Sequence, residues 1–282
     1  MQLTEGGRAR GCVAPAGGRA GLGGRRDPPT HPSALPWQLL LEPRGRSGPE
    51  NMAVDVALLE RADRMGEAFL RLYQFDPPCL SLGRNEAAGG YDRAAIARRG
   101  VDVVRRPTGG GSVWHEHELT YAVAAPIAAF GSLRQAYRAI HQRLLTALRF
   151  LGADVALAPD RPTARPPVRP SACFSQPVGG EVLVRTRKLV GSAQMRRGGA
   201  FLQHGSILLD GSQDAIQAVS RTSQAASAAT TLSAELGRQV TWEEVANAVM
   251  SAWGDDFTST ALHRPTPSST ALFSDPAWTW RR

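Results

Sequence analysis

The chain has 282 residues, 42% of them hydrophobic, and a formal net charge of +8. That length suits one large domain, or one domain with small appendages, and it allows a sizeable buried core. No apolar run approaches the ~20 residues a membrane span needs, the first 36 residues lack the apolar stretch of a signal peptide, and three scattered cysteines (Cys12, Cys79, Cys173) argue against a disulfide framework or a zinc site and for a reducing cytoplasm.

Residues 1–36 hold eight Gly, five Pro and five Arg without apolar periodicity, and read as a disordered tail or an over-long translated start. Their charge is +3, which leaves +5 for the rest. That remainder is diffuse, so it supports nucleic-acid binding only weakly and would attract an acidic protein partner equally well. Trp37 to Glu42 reads as a strand, and Asn51 as the cap of a helix through Ala62. Strands are predicted at Ala68 to Phe75 and Cys79 to Leu82, then a short helix from Tyr91 to Arg99 closed by Gly100. Val101 to Arg105 is a strand entering Gly109-Gly110-Gly111, and Ser112 to His115 and Leu119 to Ala125 continue the sheet. Ser132 caps an amphipathic helix running to Leu151, with Gly152 just beyond it. Asp154 to Ala158 reads as a strand, 159–172 as a loop rich in Pro and Arg. Glu181 to Val184, Lys188 to Gln194 and Ala200 to Leu209 read as consecutive antiparallel strands, the last two joined by Gly198-Gly199. Thr241-Trp-Glu-Glu244 is a capping box opening a helix to about Phe257, and residues 264–282 show no pattern. The fold class is α/β, with a mixed, largely antiparallel sheet flanked by helices.

All but one of the 33 basic residues are arginine; the exception is Lys188. Guanidinium replaces ammonium as a surface charge but not where a compact amine is needed, which makes Lys188 a candidate for chemistry. Cys173, in Ser171-Ala-Cys-Phe-Ser-Gln176, precedes it by 15 residues. A loop folding back would place the thiol beside the ammonium, which favours the reactive thiolate. Lys188 could steady the developing oxyanion or the thiolate, and accept a proton if desolvation lowers its pKa. Cys79 reads as core. The glycine triplet, flanked by Arg105-Arg106 and His115, bares its backbone to a ligand and permits positive φ. It is neither a dinucleotide fingerprint nor a P-loop. His115 and His117 have ligand-like spacing but no accompanying cluster, so no metal is expected. His204 reads as a support for the sheet end near the lysine.

Taken in order, Asn51-Met-Ala-Val-Asp55, Ser81-Leu-Gly-Arg-Asn85, Arg105-Arg-Pro-Thr-Gly-Gly-Gly111 with His115, Lys188-Leu-Val-Gly-Ser-Ala-Gln194 and His204-Gly-Ser206 resemble the lipoate–octanoate branch of the biotin/lipoate protein ligase family. The resemblance runs from about Trp37 to Phe257 and implies that family's α/β catalytic domain over 37–260, with 261–282 as a C-terminal extension. Glu118-Leu-Thr-Tyr121 and Ala172-Cys-Phe174 resemble the cysteine-dependent octanoyl transferases whose nucleophile precedes the lysine. The resemblance implies Cys173 and Lys188 as catalytic residues, with Arg106, Gly109, Gly110, Gly111, Ser112, His115, Gly191, Ala193 and His204 binding substrate. The slot for the acyl chain is expected at Gly109 to Gly111, Val113 and Ala193. The donor would be octanoyl acyl carrier protein; the acceptor would be a lipoyl-domain protein, either a glycine cleavage H protein or a dehydrogenase E2. Passage from thioester to amide is downhill, so no cofactor is expected. An ATP-dependent lipoate ligase, requiring ATP and Mg, is the rival within the family. A non-catalytic basic binding protein for acyl carriers or nucleic acid is the rival outside it.

Overall fold

The computed structural model describes residues 35–159, 173–174, 179–222, 227–254, 257–259 and 267–281. Nearly all of the Gly/Pro/Arg-rich tail and the Pro/Arg loop therefore lie outside the described residues.

A six-stranded sheet organises the molecule. Its strands are β1 (Trp37–Leu41), β2 (Ala68–Tyr73), β6 (Glu118–Pro126), β10 (Val190–Arg197), β11 (Ala200–Leu208) and β12 (Phe257–Ser259), in the order β10-β11-β6-β2-β1-β12. Pairing is antiparallel from β10 to β2 and parallel from β2 through β1 to β12. Period-2 alternation sorts the side chains into two cores. Leu70, Leu72, Tyr121 and Val123 face one way, together with Leu144 and Leu148 of α3 (Leu133–Phe150) and Val245 and Val249 of α5 (Trp242–Trp253). Phe69, Tyr73, Ala122 and Ala124 face the other, against Met52, Leu58 and Leu59 of α1 (Gly48–Met65). Because both faces are covered, the central strands read as continuous apolar runs.

Two three-stranded sheets flank this layer. One orders β4 (Asp102–Arg105), β3 (Cys79–Leu82) and β5 (Val113–His115), next to α2 (Arg93–Arg98); the other orders β7 (Val155–Leu157), β8 (Val182–Val184) and β9 (Arg187–Lys188). The stretch from Lys188 to Gln194, expected to be one strand, is therefore divided: Lys188 pairs with Leu183 in the small sheet, and Val190 onward pairs with β11 in the large one. The short α4 (Leu232–Leu236) precedes α5.

Other expectations are corrected. α1 starts at Gly48, because the Ser47 amide donates to the Glu50 carboxylate in a capping box and Pro49 fits the first turn. Asn51, expected as the cap, is buried in the first turns and donates to the carbonyls of Arg46 (3.1 Å) and Gln74 (3.0 Å). The Thr241 hydroxyl caps α5 through Glu244 N, but the Glu244 carboxylate pairs with Arg238, and Phe257 opens β12 instead of closing the helix. The unpatterned C-terminus forms α6 (Pro267–Ser274) and α7 (Pro276–Thr279), with Phe273 in the core beside α1. Among the described residues no helix is long and apolar enough to cross a membrane.

Candidate active site

The site gathers residues of β10 and β11 within the large sheet, of β2, β5 and β6 beside them, and the Cys173–Lys188 pair. Lys188 is 1% exposed, and its Nζ donates to the Glu181 carboxylate (2.7 Å) and to the backbone carbonyl of Cys173 (2.8 Å). Nζ stands 3.7 Å from Cys173 Sγ and 5.2 Å from the Phe174 ring centroid. Burial disfavours the ammonium, but the Cys173 sulfur and the Glu181 carboxylate outweigh it and raise the Lys188 pKa above its ordinary value. Desolvation therefore does not make Lys188 a ready proton acceptor: the expectation of a lowered pKa is overturned by its two partners.

Cys173 is half-buried and reaches an open cleft. Its amide donates to the Ser112 carbonyl (2.9 Å), and Phe174, fully buried, accepts at its own carbonyl from Ala228 N (3.2 Å). The Phe174 ring lies against Gly191, where a Cβ would come within 2.7 Å of it. Glycine at 191 thus lets the aromatic ring seat and fix the cysteine beside it.

The space between the cleft walls amounts to about 340 Å³ when the open solvent at its mouth is counted. Met52, Tyr73, Phe75, Val113 and Ala193 supply apolar wall, and Arg106, His115, Thr120, Ser192, His204 and Ser206 the polar wall, with Gly191 and Gly205 beside them. Of the sequence-derived binding candidates, Arg106, His115, Gly191, Ala193 and His204 come together here with Cys173. Gly109, Gly110, Gly111 and Ser112 do not line the cleft. The carbonyls of Gly109 (3.2 Å) and Gly111 (2.8 Å) instead accept from the Arg106 guanidinium, whose other arm donates to Ser81 O (2.9 Å) and Ser81 Oγ (2.6 Å). Gly110 takes the positive φ that the triplet suggested, 89°. The loop is a clamp on Arg106, because exposed carbonyls attract the guanidinium more strongly than they admit an acyl chain.

Both histidines of the wall are fully engaged. His115 Nε2 meets Ser81 Oγ (2.6 Å), its Nδ1 meets the Glu118 carboxylate, and its ring stacks on Phe75 at 4.1 Å. His204 Nε2 meets Thr108 Oγ1 (2.7 Å) and Nδ1 meets Asp55 (2.8 Å). His204 thus supports the sheet through α1, on the side of Asp55, and not through the lysine's surroundings. Burial lowers the His204 pKa despite Asp55. The Asp55 carboxylate, penalised by burial, is brought below its ordinary range by His204 and Arg71. Neither imidazole has a nitrogen left for a substrate proton, so both orient the wall. His117 is exposed and 3.8 Å from Glu116, and among the described residues no group of His, Cys, Asp and Glu could hold a metal ion.

Sequence reasoning passed over Glu181, Asp55, Tyr121, His141 and Ser192. Glu181 lay at a strand start seven residues before the lone lysine, and only strand pairing reveals the ion pair. Asp55 stood inside a recognised motif without an assigned partner.

The model of the lipoyl protein ligase A/B catalytic domain matches residues 47–254. An octanoyltransferase LipM from Kyrpidia tusciae is 45% identical over 194 residues, covering 66% of this chain and 70% of that protein. The LipM octanoyltransferase of Symbiobacterium thermophilum is 38% identical over 229 residues, 75% of this chain and 83% of its own length. A crystal structure of lipoate-protein ligase A bound with ATP superposes with a TM-score of 0.71 at 21% identity, over 87% of this chain and 99% of that one. The bipartite lipoate protein ligase of Thermoplasma acidophilum, studied with its E2 lipoyl domain, gives 0.66 at 20% identity, over 87% and 96%. At those identities the two structures bear on the fold alone.

Proposed function

The chain belongs to the lipoyl protein ligase A/B catalytic-domain family, and on that premise we propose that it is an octanoyl transferase acting through a thioester on Cys173. The donor is octanoyl acyl carrier protein, and the acceptor is a lysine of a lipoyl-domain protein, a glycine cleavage H protein or a dehydrogenase E2. The observation that carries this reading is the 3.7 Å approach of the only lysine to a cleft-lining cysteine. An ATP-dependent ligase has no use for a thiol there.

The Cys173 sulfur attacks the donor's thioester carbonyl and the carrier's thiolate leaves, which gives S-octanoyl Cys173. The acceptor ε-amine then attacks the same carbonyl carbon, Cys173 leaves as thiolate, and the proton shed by the amine returns to sulfur or solvent. Lys188, held as an ammonium, faces the negative charge that the sulfur carries at both ends of the cycle. The octanoyl chain lies along Met52, Phe75, Val113 and Ala193, where burial contributes about 0.8 kcal/mol per CH₂. One amide replaces one thioester, so no nucleotide or metal enters.

The test supplies octanoyl acyl carrier protein and an apo lipoyl domain without nucleotide. The acceptor should gain one octanoyl group. Modification that occurs only with free acid, ATP and Mg would assign the chain to the ligases instead.

A further inference from the structure

Behind the cleft wall runs a line of polar groups that the thiol–ammonium pair does not use. Gln194 Nε2 donates to the Leu133 carbonyl (3.2 Å) and to Gln203 Oε1 (3.2 Å). That orients the Gln203 amide so that its nitrogen donates to Tyr121 Oη (3.1 Å). Burial raises the Tyr121 pKa, so the phenol keeps its proton. Gln203 can only donate to it, so among the described residues Ser192 Oγ, 2.6 Å away, is the acceptor within reach of that proton, which makes Tyr121 the donor.

His141 approaches the same hydroxyl from α3, with Nε2 at 2.9 Å. Burial, assisted by the Lys188 ammonium, pushes its pKa down to about 3, so the ring carries one proton. Its buried Nδ1 has no hydrogen-bond partner. A buried N–H without an acceptor costs more than an unused ring lone pair, so the proton sits on Nε2 and is donated to Ser192.

A serine hydroxyl has two acceptor lone pairs and one donor proton. Here Tyr121 and His141 take both lone pairs, and the hydroxyl proton finds no acceptor among the described residues. Ser192 lines the cleft alongside Cys173. Its cross-strand partner is Gly205, where a Cβ would lie 2.6 Å from Ser192 Oγ and 2.9 Å from the Tyr121 ring, so only glycine leaves this arrangement room.

We propose that Ser192 is a catalytic residue, its hydroxyl donating a hydrogen bond to the oxyanion that forms on the acyl carbonyl in both transfers. The assignment rests on the thioester reading above. When the Cys173 sulfur forms its bond to the carbonyl carbon, the C=O π pair moves onto oxygen and is held there by the Ser192 O–H. The pair returns to re-form C=O as the carrier thiolate departs. The same cycle repeats when the acceptor amine attacks and the Cys173 thiolate departs. No proton leaves Ser192, because it donates a hydrogen bond and not its hydrogen. Tyr121 and His141 are positioning residues that aim this hydroxyl.

Ser192→Ala removes the donor and leaves the thiol–ammonium pair intact. Single-turnover acylation by octanoyl acyl carrier protein, followed by mass spectrometry, should slow about 100-fold with little change in KM, and transfer from S-octanoyl Cys173 to an apo lipoyl domain should slow alike. Alkylation of Cys173 by iodoacetamide, which develops no oxyanion, should keep its wild-type rate. Ser192→Thr, which retains a hydroxyl, should recover most of the acylation. Wild-type acylation by Ser192→Ala, or alkylation that falls in parallel, overturns the assignment of Ser192 alone. Absence of any acyl group on Cys173 in the wild-type protein overturns the transferase reading beneath it. If Ser192→Ala does not fold, the carbonyl stretch of isotopically labelled S-octanoyl Cys173 in the wild-type protein decides: a band below that of an octanoyl thioester in hydrocarbon supports the donor, and a band at the hydrocarbon value overturns it.

Discussion

Lys188 is held by a carboxylate, a backbone carbonyl, the Cys173 sulfur and the face of an aromatic ring. A tetrahedral ammonium satisfies these directions at once, whereas a planar guanidinium on a longer stem does not. Lys188→Arg should therefore fold but lose about 100-fold or more in transfer, as removal of one preorganised charge-stabilising donor does. Near-normal turnover would make the lone lysine a compositional accident. The sequence singled out Lys188 and Cys173 as candidates because each is rare in its setting, and the fold brings the two together. Their partners were not singled out, since Glu181 is ordinary in sequence and acquires its role only when β8 pairs with β9. The aim of the Ser192 hydroxyl depends on four residues spread from Tyr121 to Gln203, which no local motif joins.

Helix α1, strand β2 and strand β11 are pinned to one another by a buried guanidinium. Arg71, on β2, donates to Glu42 (2.6 Å), to Asp55 (2.8 Å), and to the carbonyl (3.1 Å) and side chain (2.7 Å) of Asn51, while Asp55 also holds His204 on β11. The Asn-to-Asp spacing of four puts both side chains on one face of α1, one turn apart. Arg71→Met would leave the Asp55 carboxylate buried without its cation, at a cost of about 3–5 kcal/mol. A clear fall in melting temperature is expected, and an unchanged one would show that the network is dispensable. The apolar runs of the central strands and the amphipathic α3 were readable because burial leaves its trace in the run of apolar residues or in their period. The start of α1, the break at Leu189 and the strand β12 were not, because they depend on a capping carboxylate and on partner strands far away in sequence.

The whole molecule carries buried neutral imidazoles, and these set its response to acid. His141 has a folded-state pKa of about 3 and that of His204 also lies below the ordinary 6.5. The unfolded chain therefore binds protons that the folded one refuses between 6.5 and the folded values. Stability is intact above 6.5 and falls as the pH drops, by on the order of 3 kcal/mol from His141 at pH 4. Asp55, with its lowered pKa, adds a further loss below 3.8. Urea unfolding from pH 7 to pH 4 should show this slope, and His141→Gln should flatten it; equal slopes would contradict a neutral buried His141.

The C-terminal segment belongs to the same body. Arg105, buried next to cleft-lining Arg106, donates to the carbonyls of Trp278 (3.1 Å) and Thr279 (3.0 Å) as well as to Gly83 and Glu86 (both 2.7 Å). Deleting residues 267–282 takes away two of these acceptors and should lower both melting temperature and transfer. Full activity after the deletion would separate this segment from the site. Its docking was illegible in the sequence because its helices are short and their apolar residues few.

Whether Cys173 carries the acyl group is decided by the intact mass of the protein after mixing with octanoyl acyl carrier protein, without nucleotide. One added octanoyl group is expected, located on Cys173, labile to hydroxylamine and lost when an apo lipoyl domain is supplied, with no adduct on Cys173→Ala. Full acceptor modification by Cys173→Ala would contradict a thioester on Cys173.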